Sequence, residues 1–183
     1  MTLRSLGFAM ATILVGASAA LPTLAENSQA PAVASAKPPS CAAPENRQFD
    51  FWLGEWEVRD PEGKLIGENQ ITSLHNGCVL FENYRAGKFS GSSLNAYDPE
   101  RRKWHQTWVD SSGGLLVIEG GLVDGKMILA GEAVDPAKPG GSIDNRIMWQ
   151  PLTDGRVRQL WETSADKGKT WATAFDGYYA KKK

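Results

Sequence analysis

The chain has 183 residues, of which 42% are hydrophobic and 22% are charged, and its formal net charge is −1. This length allows one folded domain of ordinary size beside its leader segments. Because the charges nearly balance, no basic surface is expected to collect phosphates, and nucleic acid is not a predicted partner.

The N-terminus has the pattern of a secretory signal. Arg4 gives a positive start, an apolar run extends from residue 6 to about residue 20, and Thr23 and Ala25 are small residues at the expected cleavage positions. The run is shorter than the roughly 20 apolar residues that cross a bilayer. We therefore predict a signal peptide over 1–25, export to the periplasm or the extracellular space, and no membrane span after cleavage.

Residues 26–46 are rich in Ala, Pro and Ser, and such a segment buries too little apolar surface to fold. We predict a disordered linker there and a single β-barrel domain over 47–183. After export, Cys41 and Cys78 would be in an oxidising compartment, which favours a disulfide over two free thiols. Neither has a Cys or His at ligand spacing, so no metal site and no cofactor are predicted.

From Leu53 onwards, short β-type runs alternate with turn residues such as Asn-Gly and Asp-Gly. No long window outside the signal peptide has the period of an amphipathic helix. About ten strands joined by short hairpins favour an all-β, antiparallel up-and-down barrel, since closure removes unpaired edges; an open two-sheet sandwich is the alternative. The predicted strands are 53–59, 65–73, 78–85, 92–97, 103–110, 115–119, 126–132, 146–150, 156–163 and 170–179.

Several predicted strands carry bulky or polar side chains on both faces. In 103–110, for example, Trp104, Gln106 and Trp108 share one face, while His105 and its alternate neighbours share the other. A solid apolar core would produce a cleaner alternation. The mixed pattern therefore favours a barrel with a partly polar cavity of ligand size.

Gly54-Glu55-Trp56 is the Gly-x-Trp pattern with which lipocalins and related calycins begin their first strand. Three longer segments resemble a DUF1579-like family of exported bacterial proteins of unknown function. They are Phe-Asp-Phe-Trp-Leu-Gly-Glu-Trp from residue 49, Lys-Trp-His-Gln-Thr-Trp-Val-Asp from residue 103, and Phe-Asp-Gly-Tyr-Tyr from residue 175. The resemblance spans nearly the whole predicted domain. It implies a calycin-like barrel and no established activity.

Residues 164–171, Ser-Ala-Asp-Lys-Gly-Lys-Thr-Trp, match the Asp-box pattern. In this motif the Asp accepts backbone N–H groups across a turn and a Gly takes positive φ. Sialidase-like propellers repeat the motif in several blades, whereas it occurs once here. The motif therefore predicts a rigid turn between the last two strands, not a glycosidase.

The candidate ligand-binding residues are aromatic or polar side chains on the central and late strands. The seven Trp of the chain are expected mostly in the core, with a few lining a pocket beside fixed polar groups. Arg146 and Arg158 would meet a polar or acidic end of the ligand, and Trp108 and Trp161 would supply apolar contact. The full predicted set is His105, Gln106, Trp108, Arg146, Arg158, Trp161 and Glu162.

The function favoured by these patterns is binding of a small, partly apolar molecule inside an exported barrel. One alternative is a small hydrolase or isomerase that uses Glu162 or His105 as base; His105 could also be read as an axial haem ligand. Another alternative is an envelope protein that contacts a protein partner through its outer surface. No catalytic residue is assigned, and the oligomeric state is left open. The carboxylates considered for acid–base chemistry are Asp50, Glu55, Glu57, Glu82 and Glu162.

Overall fold

A computed structural model describes residues 41–135 and 137–182. Within these residues ten antiparallel strands pair in chain order, and the last strand pairs with the first to close a barrel. The strands are β1 (Gly54–Arg59), β2 (Leu65–Leu74), β3 (Val79–Ala86), β4 (Phe89–Asp98), β5 (Lys103–Asp110), β6 (Leu115–Val123), β7 (Lys126–Val134), β8 (Ser142–Pro151), β9 (Val157–Ser164) and β10 (Ala172–Lys181).

The predicted fold class is confirmed. Each predicted strand is present with small shifts of its ends, and the pairing of Val58 in β1 with Tyr179 in β10 distinguishes the barrel from an open sandwich. The turn between β6 and β7 shows why the hairpins are short. Asp124 and Gly125 both adopt positive φ, at 49° and 75°, as a tight two-residue hairpin turn requires.

One end of the barrel, where β5 begins and where β8 and β10 end, is filled by aromatic side chains. Phe49 and Trp52, in the segment before β1, have no exposed surface. The ring of Phe49 stacks on Trp52 at 5.0 Å between centroids and meets the edges of Trp104 and Trp149 at 5.6 and 5.2 Å. These rings, with Phe51 packed against them, close this end of the barrel, and we call it the closed end.

The segment that covers the closed end, residues 41–53, is attached to the barrel by a disulfide. The predicted bond between Cys41 and Cys78 is confirmed. The Arg47 guanidinium also donates a hydrogen bond to the Gly77 carbonyl. Residues 41–46, which the sequence prediction assigned to the linker, thus belong to this cap, with Asn46 buried. The predicted signal peptide and the rest of the predicted linker lie outside the described residues.

Trp56 in β1 is buried in the core, as expected for the Trp of the Gly-x-Trp motif. Its indole N–H donates to the Trp52 carbonyl at 2.9 Å. The Lys181 ammonium of the last strand lies 4.0 Å from the centre of its ring, in a cation–π arrangement. Assignment of the barrel to the calycins stays a prediction. No helix among the described residues is long and apolar enough to span a membrane.

Candidate ligand site

The opposite end of the barrel, which we call the open end, contains an inner cavity of about 110 Å³. This end carries the turns that follow β3, β5, β7 and β9. The cavity is mainly apolar, with a few polar groups at its floor. Its lining residues are Glu82, Tyr84, Phe89, Gln106, Trp108, Asp110, Leu116, Ile147, Gln159, Trp161, Phe175 and Tyr179.

Aromatic rings form most of the cavity wall. Tyr84 is central among them, because its ring centroid lies 6.3 Å from Phe89, 6.5 Å from Trp108 and 6.5 Å from Phe175. Trp161, from β9, is held by an indole N–H that donates to the Asn145 Oδ1 at 2.9 Å. These spacings are typical of interacting aromatic pairs, so the wall is a connected group of rings.

Two glycines allow these rings to lie close to the sheet. A Cβ atom at Gly91 would come within 2.1 Å of the Trp108 ring, and one at Gly177 would come within 2.5 Å of the Phe175 ring. Real Cβ atoms do not approach other atoms so closely. Glycine inside a strand often marks such a close approach, and here it makes room for the cavity wall.

Glu82 of β3 lies at the floor of the cavity and is only 3% exposed. Its Oε1 accepts a hydrogen bond from the Asn69 Nδ2 at 2.7 Å, and its Oε2 accepts one from the Ser93 Oγ at 2.6 Å. Both donors are neutral. Glu82 forms no ion pair with any residue that the structure describes.

The hydrogen bonds continue along β4 and on to β5. The Asn95 amide donates to the Ser93 Oγ at 2.8 Å, and the Gln106 Nε2 donates to the Asn95 Oδ1 at 2.7 Å. Every member of this chain of hydrogen bonds is buried. The Asn69 Oδ1 has no hydrogen-bond partner among the described residues. The hydrogen bonds from Asn69 and Ser93 give the Glu82 carboxylate a fixed position below the rings.

Burial raises the pKa of Glu82 from its ordinary 4.5 to about 7, against the opposing effect of the hydrogen bonds from Ser93 and Asn69. Burial, and then the nearby charge of Glu82, also raises the pKa of Tyr84 and of Tyr179. Both phenols are therefore neutral near pH 7, and the Tyr179 hydroxyl donates to the Gln159 Oε1. A carboxyl group with a raised pKa inside a cavity is a common feature of functional sites.

Asp110 places a second carboxyl group at the rim of the cavity. It accepts the Trp108 indole N–H at 3.1 Å. A hydrogen bond from the Ser112 hydroxyl is the main reason that its pKa is lowered, so it is ionised at neutral pH. The lining thus contains two carboxyl groups, and none of the lining residues that the structure describes is Lys, Arg or His.

The cavity opens beside a wider groove at the rim, with a volume of about 680 Å³. The groove shares Trp108, Asp110, Leu116 and Trp161 with the inner cavity. Its other walls are the turn between β5 and β6, the end of β7 and the start of β8. Leu115 and Val134 expose apolar surface there, so the rim groove can contact an apolar part of a larger molecule.

The profile of a family described as "Protein of unknown function (DUF1579)" matches residues 51–181. The chain belongs to this family. The match includes all ten strands of the barrel and every residue that lines the inner cavity. Among the curated proteins that were searched, none matches the chain.

Three of the seven predicted ligand-binding residues line the inner cavity of this DUF1579 member: Gln106, Trp108 and Trp161. The other four lie on the outer face of the barrel, because they alternate with inward residues of the same strands. Since the inner cavity does not include them, any contact of theirs with a ligand stays a prediction. These four are His105, Arg146, Arg158 and Glu162.

On the outer face, these four residues form local pairs. The Arg146 guanidinium is 2.8 Å from the Glu162 carboxylate, and the Arg158 guanidinium is 2.7 Å from Asp176. His105 contacts the Glu119 carboxylate through Nδ1 at 3.2 Å, and its Nε2 lies 2.8 Å from the Thr107 hydroxyl. No group of three or more His, Cys, Asp or Glu side chains in the described part of the chain is arranged to hold a metal ion.

The Asp-box residues form the turn between β9 and β10, as predicted. The Asp166 carboxylate accepts the Thr170 N–H at 2.8 Å and the Thr170 hydroxyl at 2.7 Å. These hydrogen bonds lower the pKa of Asp166 to about 2, so the turn keeps its anion across the physiological pH range. The motif fixes one hairpin of the open end and is not among the residues that line the cavity.

Proposed function

We propose that this protein is an exported binding protein that holds a small, partly apolar molecule in the inner cavity. The observation that carries the proposal is the cavity itself, with its aromatic wall and its few fixed polar groups, which is the usual composition of a small-molecule site. An engineered apolar cavity of about 150 Å³ binds benzene. The inner cavity is therefore suited to a group slightly smaller than a benzene ring, with any remainder in the rim groove.

Export is supported by the N-terminal signal pattern together with the disulfide. Disulfides persist in oxidising compartments and are rare in the cytosol of most organisms. The bond between Cys41 and Cys78 has formed between residues 37 positions apart. A compartment such as the periplasm or the extracellular space fits this chemistry.

If the protein is an enzyme, the structure favours Glu82 as the base in place of Glu162 or His105. Glu162 and His105 are on the outer face in local pairs, whereas Glu82 has a pKa near 7 inside a cavity, as a general base requires. We favour binding over catalysis because the lining residues that the structure describes include no Lys, Arg or His that could act with Glu82 as a partner acid or as an electrostatic stabiliser. An interaction through an exposed aromatic patch has less support, since Phe89 is the one large exposed aromatic in the described residues.

Filling the cavity should abolish binding. Leu116 lines the cavity and is 6% exposed, whereas Leu94 is 52% exposed on the outer face of β4. We expect Leu116→Trp to occupy the cavity and Leu94→Trp, the matched control, to leave it open. The measurement is NMR of the Trp indole signals while a library of small neutral and charged fragments is added.

In the wild type and in Leu94→Trp, fragments should shift the signals of Trp108 and Trp161, and in Leu116→Trp they should not. Thermal unfolding of the variants provides a check on folding, because overpacking a core typically destabilises a protein by about 1–3 kcal/mol. If no fragment shifts these two signals in the wild type, the proposed function is wrong.

A further inference from the structure

We infer that the ligand of the inner cavity is a small organic cation whose ammonium head group lies between the Glu82 carboxylate and the aromatic wall. This inference rests on the proposed function and names the ligand class of the same site. It differs from the sequence prediction, in which Arg146 and Arg158 would meet a polar or acidic end of the ligand.

The charged groups that line the cavity are acidic. Glu82 and Asp110 are the carboxyl groups of the lining, and the phenols of Tyr84 and Tyr179 are neutral near pH 7. No Lys, Arg or His is among the lining residues in the described chain. An anionic ligand would be repelled by both carboxylates. A cationic ligand would supply the opposite charge that the site lacks.

The Glu82 carboxylate has no charged partner among the described residues. A buried carboxylate is stable only when it is paired or well hydrogen-bonded, and its two partners, Asn69 and Ser93, are neutral. Each carboxylate oxygen has two acceptor positions, and each accepts one hydrogen bond here. The remaining positions are available to a donor or a positive charge in the cavity.

The aromatic wall of the cavity also favours a cation. Ammonium groups are attracted to the faces of Trp, Tyr and Phe rings, and grouped rings are the usual recognition element for methylated ammonium ions. Tyr84 has ring neighbours at 6.3–6.5 Å, and Trp161 completes the wall from β9. The rings, from five strands, thus face one small space together with the carboxylate, which shares β3 with Tyr84.

The size of the cavity restricts the head group. A volume of about 110 Å³ suits a compact alkylammonium group, since a cavity of about 150 Å³ holds benzene. A longer substituent would extend past Trp108 and Leu116 into the rim groove. There Leu115 and Val134 can contact its apolar part.

The test compares choline with 3,3-dimethylbutan-1-ol, in which carbon replaces the nitrogen so that shape is kept and charge is lost. Isothermal titration calorimetry on the full mature chain at pH 8 should give a Kd for choline at least tenfold below that for the alcohol. Between pH 6.5 and pH 5.5 the affinity for choline should fall several-fold, because protonation of Glu82 removes its charge. The affinity for the alcohol should not fall.

Two variants separate Glu82 from other acids. Glu82→Gln keeps the shape of the side chain and should weaken choline binding at pH 8 at least tenfold, with little change for the alcohol. Glu162→Gln, on the outer face, should leave both affinities unchanged. Circular dichroism and thermal unfolding show whether each variant is folded, and the alcohol serves as a binding check on the Glu82→Gln cavity.

Each result has a defined meaning. Equal affinities for the two probes, or tighter binding of the alcohol, would overturn the cation inference while the proposed function stands. Loss of choline binding in Glu162→Gln but not in Glu82→Gln would also overturn it, because the cation would then bind the outer face. If neither choline nor the alcohol binds the wild type, but other fragments shift its Trp108 and Trp161 signals, the cation inference is wrong and the proposed function stands.

Discussion

As the pH rises from 4.5 to 8, the free energy of unfolding of Glu82→Gln should increase by about 3 kcal/mol relative to that of the wild type. We call the difference between the two free energies the stability gap. The folded-state pKa of Glu82, about 7, is above its ordinary value of 4.5. Between these values the unfolded chain loses the proton while the folded chain keeps it. The contribution of Glu82 to the free energy of unfolding is therefore fully present below pH 4.5, falls as the pH rises and levels off above pH 7.

Gln can retain most of the local hydrogen bonds, since its carbonyl can accept from the Ser93 hydroxyl. Its amide can donate to the Asn69 Oδ1, which has no partner among the described residues, if the Asn69 amide group turns over. Urea unfolding of both proteins at several pH values measures the gap. Glu62→Gln, in the turn between β1 and β2, is the control because Glu62 is exposed, and its gap should be constant. A constant gap for Glu82→Gln as well would show that the buried carboxyl titrates with an ordinary pKa.

Replacing both Cys41 and Cys78 with Ser should lower the free energy of unfolding by about 4 kcal/mol, because the cross-link no longer restricts the unfolded chain. The closed loop spans 37 positions. The same change should release the cap, since the hydrogen bond from Arg47 to Gly77 would then be the main polar tie at that turn. Urea unfolding gives the energy, and near-ultraviolet circular dichroism reports the packing of the cap aromatics.

The matched control for the cysteine variant is the wild type with reduced cysteines, which should show a similar loss without any sequence change. A loss below about 1 kcal/mol would mean that the unfolded chain is already restricted near the cap, or that the bond is strained. In that case the aromatic contacts of Phe49 and Trp52, together with the hydrogen bond from Arg47 to Gly77, would hold the cap in place.

The order of the strands could be predicted from sequence because the turn residues and the β-type runs are local signals. The cap could be predicted in part, because Phe49 and Trp52 are too apolar for an exposed segment. The inner faces of some strands could not. In β3, Leu80, Glu82 and Tyr84 point inwards, but Val79 and Phe81 are as apolar as their inward neighbours, so alternation does not identify the buried face.

Because of this ambiguity, the sequence presents Glu82 as one of five candidate carboxylates and does not distinguish it from the other four. Its neighbours in space, Asn69 and Ser93, come from β2 and β4 and are 13 and 11 positions away in sequence. A signal was available for Arg158: it alternates with Val157 and Gln159 in β9, which places it opposite Trp161. The pairing of β2, β3 and β4 brings Asn69, Glu82 and Ser93 together, and no local sequence pattern specifies that pairing.

Because Phe49 and Trp52 fill the closed end, the inner cavity opens towards the rim of the open end in the part of the chain that the structure describes. A bound molecule would have to leave by the rim through which it entered, between the hairpin after β5 and the ends of β7 and β9. Substitutions in the cap should therefore change the free energy of unfolding of the barrel but not the rate at which the bound molecule dissociates. Any protein that takes the molecule over directly would have to dock against the same rim.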